Sequence, residues 1–418
     1  MRVLLLTHYF PPEVGAPQTR LAETATVLSE LGHDVRVLTG PPHYPDGQVR
    51  HGYGSARVQH ERRKGVPIVR LPMIARPNRG FIDRVIDHGS FAAVATGALK
   101  EVRWAEVLLV ESPPLFLGLT AAFHRIATRR PYLFHVADPW PDFPIEMGVL
   151  RNRYAQRVAF GIEGMAYRYA SLITTVTPGL VALLDAKPTA TGRVRLLPNG
   201  VDVNRFNDAV TVEAAQAHLG WPRAALTLAY VGSVGLAQGV ETLITAVAPL
   251  ADEGVVLRIV GDGHDRNKLL RETAERSLTH VQFDGAVSAS AVPDVLAAAD
   301  ATVVMLRRGR LYEESLPTKL VEGLAAARPV VVSAAGLAAR VISEAGAGYV
   351  AGPEDPVALR AAIRACLNDP NRMAKGRAGR NVAERMFDRK VIVGTLAGYL
   401  SEIVESAQVD QRRPGRRS

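Results

Sequence analysis

Short, predominantly apolar runs alternate along the chain with longer segments whose apolar residues return every three or four places. Val3–Leu6, Val35–Leu38, Ile68–Leu71, Val107–Val110, Tyr132–Val136, Leu172–Val176 and Val194–Leu197 are runs of the first kind. Such runs suit strands covered on both faces of a parallel sheet. Between the first two, Pro17–Leu31 carries Leu21, Ala25, Leu28 and Leu31 at helical spacing and is closed by Gly32. Strand, helix and strand in this order predict a βαβ unit, and with it a doubly wound parallel sheet.

Near residue 200 the pattern breaks. Leu197-Pro198-Asn199-Gly200-Val201-Asp202 is turn-rich, and Asp208–Gly220 reads as a polar connecting region. A second series follows: Leu226–Val231, Val255–Val260, His280–Phe283, Ala301–Met305 and Pro329–Val332, with helical segments between. A chain of 418 residues exceeds what one core usually holds. The predicted fold class is therefore α/β, with two doubly wound Rossmann-like domains facing a cleft. The expected domains are 1–200 and 201–388, with a final helix over about 389–408 returning to the first domain and a disordered basic tail over 409–418. Ligands of open α/β sheets bind beyond the carboxyl ends of strands. The loops after Leu6, Val110, Val136, Val231, Val260 and Met305 are thus the places to look for chemistry.

Composition narrows the function classes. Apolar residues make up 47% and charged residues 22%, ordinary for a globular protein. A single cysteine, Cys366, excludes an intrachain disulfide and a cysteine-based metal site, and reads as a small apolar residue in a helix. Val3-Leu4-Leu5-Leu6-Thr7 is too short for a signal-peptide core, and no stretch approaches the ~18 apolar residues of a membrane span. A cytoplasmic location is expected, with the inner membrane surface open as a place of attachment. The net charge of +9 is uneven. Residues 1–200 hold 24 Lys and Arg against 16 Asp and Glu, and the remainder 26 against 25. A basic first half suits an anionic partner such as a lipid headgroup or lipid pyrophosphate, or else serves solubility alone. No nucleic-acid motif accompanies the charge, so no nucleic-acid partner is expected. Phe81–Leu99, apolar at Phe81, Ile82, Val85, Ile86 and Phe91, lies near Arg62-Arg63-Lys64, Arg76, Arg79 and Arg84. It is either a membrane-docking helix or a core helix beside a basic loop.

The densest candidate chemistry is the segment from Glu313 to Val331. A loop leads to a helix with Pro317 in its first turn, continuing through Ala327. The helix start offers free backbone N–H groups and a positive dipole end, which suits a diphosphate, and Lys319 adds a full charge. Glu314 and Glu322 flank it, and eight helical rises span about 12 Å at most. Each carboxylate could accept hydrogen bonds from paired hydroxyls. Two ordinary glutamates on a solvated helix would show the same spacing.

Glu314-Ser315-Leu316, followed by Glu322-Gly323-Leu324-Ala325-Ala326-Ala327-Arg328-Pro329, resembles the E-x7-E signature of the family 4 glycosyltransferases, retaining enzymes of the GT-B fold. The likeness covers most of the chain. Thr7-His8-Tyr9-Phe10-Pro11-Pro12-Glu13-Val14-Gly15-Ala16-Pro17 is similar to the family's first glycine-bearing loop, and Leu197–Asp202 to its interdomain "PNGVD". Tyr230-Val231-Gly232-Ser233-Val234-Gly235 and Val260-Gly261-Asp262-Gly263 resemble the second domain's first two loops. Asp138-Pro139-Trp140-Pro141-Asp142 and Gly235-Leu236-Ala237-Gln238-Gly239 resemble the branch that makes bacterial cell-surface polysaccharides.

The resemblance implies that Glu314 holds the donor sugar's hydroxyls and Glu322 the ribose. It implies further donor contacts at Gly15, Gly232, Ser233, Gln238, Gly261, Lys319 and Leu320, with Asp138 and Glu314 at the reacting centre. Many members carry Arg and Lys where Ser233 and Gln238 stand, leaving Lys319 to supply that charge. Many have His-Asp where this chain has Ala137-Asp138, which singles out Asp138 and leaves His135 as a strand residue. His8 ends a strand in the expected cleft, where a lone histidine is usually structural. The Gly261-Asp262-Gly263-His264 turn alone says little.

Absences also count. There is no Asp-x-Asp, no Gly-x-x-x-x-Gly-Lys-[Ser/Thr] and no Gly-x-Ser-x-Gly. No cofactor is expected; a nucleotide-diphosphate sugar is the substrate, UDP ahead of GDP on family frequency. The donor is expected on the second domain and the acceptor on the first, with domain closure excluding water. The acceptor is open between polyprenyl-linked sugars and other glycans or small molecules. A nucleotide-sugar epimerase or hydrolase on the same fold, and a non-catalytic nucleotide-sugar-binding subunit, stay open as alternatives.

Overall fold

The computed structural model describes every residue except 14, 45, 55, 78–79, 207–209, 236–237 and 413–418, and only the backbone of Phe81 and of residues 410–412. The chain forms two compact units. Met1–Pro198 joins the chain from Lys390 onward in one, and Asn199–Arg389 forms the other.

In the N-terminal unit the strands are β1 (Arg2–Leu6), β2 (Asp34–Thr39), β3 (Gln59–Arg63), β4 (Val66–Arg70), β5 (Val107–Ser112), β6 (Tyr132–Val136), β7 (Leu172–Thr175) and β8 (Val194–Leu196). They make one sheet in the order β3-β4-β2-β1-β5-β6-β7-β8, parallel except for the β3–β4 pair. Alternation along β1 divides the core. Leu4 and Leu6 join Phe91, Leu117 and Phe134 on one face, while Val3 and Leu5 join Leu21, Leu28 and Val37 on the other. The second face is completed from far along the sequence. Ile392, Val393, Leu396, Leu400 and Ile403 of the helix Arg389–Arg412 pack into it, each at most 6% exposed.

The C-terminal unit contains β9 (Leu226–Val231), β10 (Val255–Val260), β11 (Val281–Gly285), β12 (Ala301–Met305), β13 (Val330–Ser333) and β14 (Gly348–Ala351). Its sheet is parallel throughout, in the order β11-β10-β9-β12-β13-β14. The chain enters and leaves this unit side by side. Val201 bridges Asp388 in parallel, its N–H donates to the Phe387 carbonyl at 2.9 Å, and Arg389 N–H donates to the Val201 carbonyl at 2.8 Å.

Two strands escape the apolar pattern. β3, QHERR, is polar because it is an edge, where charge discourages further pairing. It is held by Arg70 of β4, 1% exposed, whose guanidinium donates to Glu61 at 2.6 and 2.8 Å and to the Gly40 carbonyl at 2.7 Å. β14, GYVA, is short and opens on a glycine because a Cβ there would lie 1.9 Å from the Val330 carbonyl oxygen. Two expectations are corrected. Within the supposed connector, Val212–Leu219 is a helix, capped by the Thr211 hydroxyl and packed on the core through Val212 and Ala215; Asp208 lies outside the described residues. The helix of the acidic segment spans Thr318–Ala325 and stops before Ala327, which takes φ 53°, so that buried Arg328 can bond the carbonyls of Leu296, Ala297 and Val210. Phe81–Leu99 divides into the helix Phe81–Thr96, which buries Asp87, Phe91, Ala92 and Ala95 and exposes Ile82, Val85 and Val94, and the start of a second helix, Leu99–Trp104. Arg79 and the tail from 413 are outside the described residues.

Candidate active site

In the C-terminal unit, chemistry gathers where β9 and β10 end. Gly232 has φ 136° and Gly261 φ 153°, and a Cβ on Gly261 would sit 1.9 Å from the Gly232 carbonyl oxygen. The two loops therefore lie backbone on backbone, joined by Gly232 N–H to the Val260 carbonyl and Val234 N–H to the Asp262 carbonyl, both 2.9 Å. Gly261 and Gly263 are explained by this packing; a Cβ on Gly263 would meet the Val234 carbonyl at 2.3 Å. Ser233 is exposed, and Gln238 N–H donates to the Gly235 carbonyl at 3.1 Å; Leu236 and Ala237 between them are outside the described residues.

The helix Thr318–Ala325 presents its start to this loop pair. Gly323 seats it: a Cβ there would lie 2.6 Å from Thr302 Oγ1 on β12. Pro317 caps it in extended conformation. Lys319 turns its ammonium against Gly232, where an added Cβ would meet Nζ at 3.1 Å. The ammonium donates to Tyr230 Oη at 2.7 Å and lies 4.3 Å from the centre of that ring, and the tyrosine hydroxyl donates in turn to the Ser233 carbonyl. Burial lowers Lys319 to about 8, against the pull of nearby Glu322. Leu320 contributes no side chain here. It is fully buried in the core, and its N–H donates to the Pro317 carbonyl at 3.0 Å.

Glu322 is half-buried on the same helix, and Glu314 half-buried in the preceding turn, directly after the short helix Arg310–Glu313. That turn is pinned from behind. Gly336 takes φ 69°, and a Cβ there would meet the Glu313 carbonyl at 2.1 Å. The sequence analysis missed a second cation, Arg307, in the loop after β12. Its side chain crosses Gly239, bonds Glu241, and bonds Glu354 at 3.1 Å. No spacing rule links residues 239, 241, 307 and 354; only the sheet order brings them together.

In the N-terminal unit, Asp138 follows β6 and reaches solvent, yet its carboxyl is raised above the carboxylate range by loss of hydration, with the Arg20 guanidinium pulling the other way. Arg20, on the helix Ala16–Glu30, is bound by both oxygens of Glu111 at the end of β5. Burial raises Glu111 too, and Arg20 opposes it. Asp138 thus stands beside a cation already shared with a second carboxylate, a partnership the sequence did not signal. Gly15, at the start of the Arg20 helix, has extended φ 168°, and the space over it is taken by the buried Gln18 side chain, 2.4 Å from a would-be Cβ; Val14 is outside the described residues. His135 is a buried β6 residue bonded to Thr174 Oγ1 at 2.9 Å.

His8 is not alone. Its Nε2 and that of His43 meet the two oxygens of Asp87 at 2.8 and 2.9 Å, all three side chains buried and their ligand-capable atoms within 4.8 Å of one another. Burial works to raise Asp87, but the two imidazoles hold it well below the carboxylate range. Glu13 Oε1 closes the group by accepting from the N–H groups of His43 and Tyr44 at 2.7 and 2.8 Å. Cys366 is a buried helical residue whose thiol is pushed up to about 12 by burial.

Two doubly wound sheets, one of them ending in glycine loops against a lysine-bearing helix start, define a two-domain protein of the GT-B class. Residues 15–200 match the family model described as a glycosyl transferase 4-like domain, and residues 212–382 that described as glycosyl transferases group 1. A protein of Escherichia coli (strain K12) described as a colanic acid biosynthesis glycosyl transferase, WcaI, is 26% identical over 404 residues, covering 94% of this chain and 98% of its own. The sucrose-phosphate synthase of Thermosynechococcus elongatus shares the fold with TM-score 0.78 at 19% identity, over 97% of this chain and 99% of that one. HepE of Anabaena, solved with UDP-glucose, shares it with TM-score 0.72 at 18% identity, over 96% and 100%. The chain belongs to the family 4 glycosyltransferases of the GT-B fold. It is a glycosyltransferase.

Proposed function

We propose that this transferase moves a sugar, with retention, from a nucleotide-diphosphate sugar held on the C-terminal unit to a glycan or lipid-linked acceptor held on the N-terminal unit, in the synthesis of a cell-surface polysaccharide. The observation that carries it is the Lys319–Tyr230–Ser233 chain of hydrogen bonds, which holds an ammonium against the Gly232 loop at a helix start. A diphosphate seated there meets a full positive charge, a helix dipole and a backbone that no side chain screens. Glu314 and Glu322 then accept from the hydroxyls of sugar and ribose. As the bond from anomeric carbon to diphosphate oxygen breaks, the electron pair goes to the diphosphate. The acceptor oxygen bonds the same face of that carbon, and its proton passes to the departing diphosphate. Asp138 orients the acceptor hydroxyl. UDP is the proposed nucleotide, supported by the UDP-glucose complex of the structurally similar HepE, and no metal or cofactor is proposed.

The test is sugar transfer by Glu314→Gln and Glu322→Gln proteins, expected to lose about 10²-fold or more in kcat/KM. Wild-type rates in both would refute the donor site. Thermal unfolding with UDP- and GDP-sugars identifies the nucleotide, because bound donor raises the midpoint by mass action.

A further inference from the structure

The N-terminal unit contains an apolar cavity of about 340 Å³ that the donor chemistry does not use. Pro113, Pro114 and Phe116 form one wall, directly after β5. Leu150, Ala159 and Ile162 form another, and Trp140, two residues after Asp138, also lines it. The helix Arg153–Tyr169 that supplies the second wall leaves apolar residues in the open beside it, Tyr154 80% and Val158 63% exposed. Arg151, Arg153 and Arg157 are exposed along the same stretch.

Two titratable side chains line the cavity. Burial lowers His88 to about 3, so it is neutral, and its Nε2 is within 3.0 Å of the Tyr9 hydroxyl. Arg84 is the cation, and its buried Nε finds no hydrogen-bond partner among the described residues. A buried guanidinium N–H left unmatched beside a hydrocarbon-lined chamber is costly unless an anion meets it.

We propose that this cavity holds the hydrocarbon chain of a single-chain isoprenyl phosphate or diphosphate acceptor, with Arg84 on its phosphate and the acceptor sugar directed to Asp138. This rests on the transferase reading and names its acceptor class. One chamber accommodates one chain, which favours an isoprenoid carrier over a diacyl lipid. An apolar lining binds the chain, while the unmatched Nε–H of Arg84 and the flanking arginines select the anionic head.

The test uses the full chain and a diazirine-bearing farnesyl phosphate, with crosslinks mapped by mass spectrometry. Labelling is expected within 113–116 and 140–162, with farnesol competing about tenfold more weakly than farnesyl phosphate. Ala159→Trp, which fills the chamber from a half-exposed position, should abolish the labelling without lowering the thermal midpoint. Arg84→Met should retain labelling but erase the preference for phosphate. Labelling elsewhere, undiminished labelling in Ala159→Trp, or phosphatidic acid competing as well as farnesyl phosphate would overturn the proposal. Stabilisation by UDP, read on the same protein, keeps the donor site separate. A protein stabilised by UDP but unlabelled refutes the lipid acceptor alone.

Discussion

Lys319 is the residue whose environment makes the sharpest demand. An ammonium lowered to about 8 is half-discharged at that pH, and a neutral amine attracts no diphosphate. kcat/KM for the donor should therefore fall as pH rises through about 8, since that ratio reports the free enzyme; kcat should hold to higher pH, because a bound diphosphate restores the charge. Lys319→Arg should carry the kcat/KM limb beyond the measurable range. An unchanged limb in that variant would assign it to another group. Stability follows the opposite course. The folded-state pKa lies below the unfolded value, so the unfolded chain binds more protons between about pH 8 and 10.5, and this lysine's contribution to stability rises across that window. Little of this was legible in the sequence. Lys319 could be placed near a helix start, but Tyr230, 89 residues away, gave no sign of being the group that fixes it.

Strands and helices were far more legible, because burial on both faces writes a continuous apolar run. The failures were the elements that serve another purpose. β3 is charged because it is an edge, and Val212–Leu219 is polar on its outer face because only Val212, Ala215 and Gln216 are buried. The loop pair at Gly232 and Gly261 shows why a short glycine motif is ambiguous from sequence. Its glycines answer to packing between two strand-ends, whatever ligand they also approach. Gly261→Ala must push a methyl into the Gly232 carbonyl and hold φ 153°, and should cost about 2–4 kcal/mol. Gly285→Ala is the control, with φ 75° and nothing within 4 Å of the new Cβ, and should cost about 1 kcal/mol. Urea unfolding of the two proteins checks the difference, and equal losses would show that conformation rather than space governs Gly261.

At the scale of the whole molecule, a second series of apolar runs beginning near residue 226 made two sheets plain. The last helix returns to the N-terminal unit as expected, although its apolar stripe alone does not say which core it covers. That helix buries five aliphatic side chains in the N-terminal unit, worth about 1.5–3 kcal/mol each, a sum comparable to the whole stability of a domain. A chain ending at Asp388 should thus lose the N-terminal unit's cooperative unfolding transition and expose Met1–Pro198 to protease, while Asn199–Asp388 stays resistant. Full protection of the first 198 residues in that truncated protein would show the helix to be dispensable.

The same feature sets a clock for biosynthesis. A ribosome adding about 5–20 residues per second needs roughly 10–40 s to travel from Pro198 to Lys390. Throughout that interval the nascent N-terminal half has all its strands but not the strip that seals one face, whereas the C-terminal half emerges as one continuous stretch. The half translated first is the half completed last, and in the meantime its uncovered face is a binding site for whatever chaperone attends the growing chain.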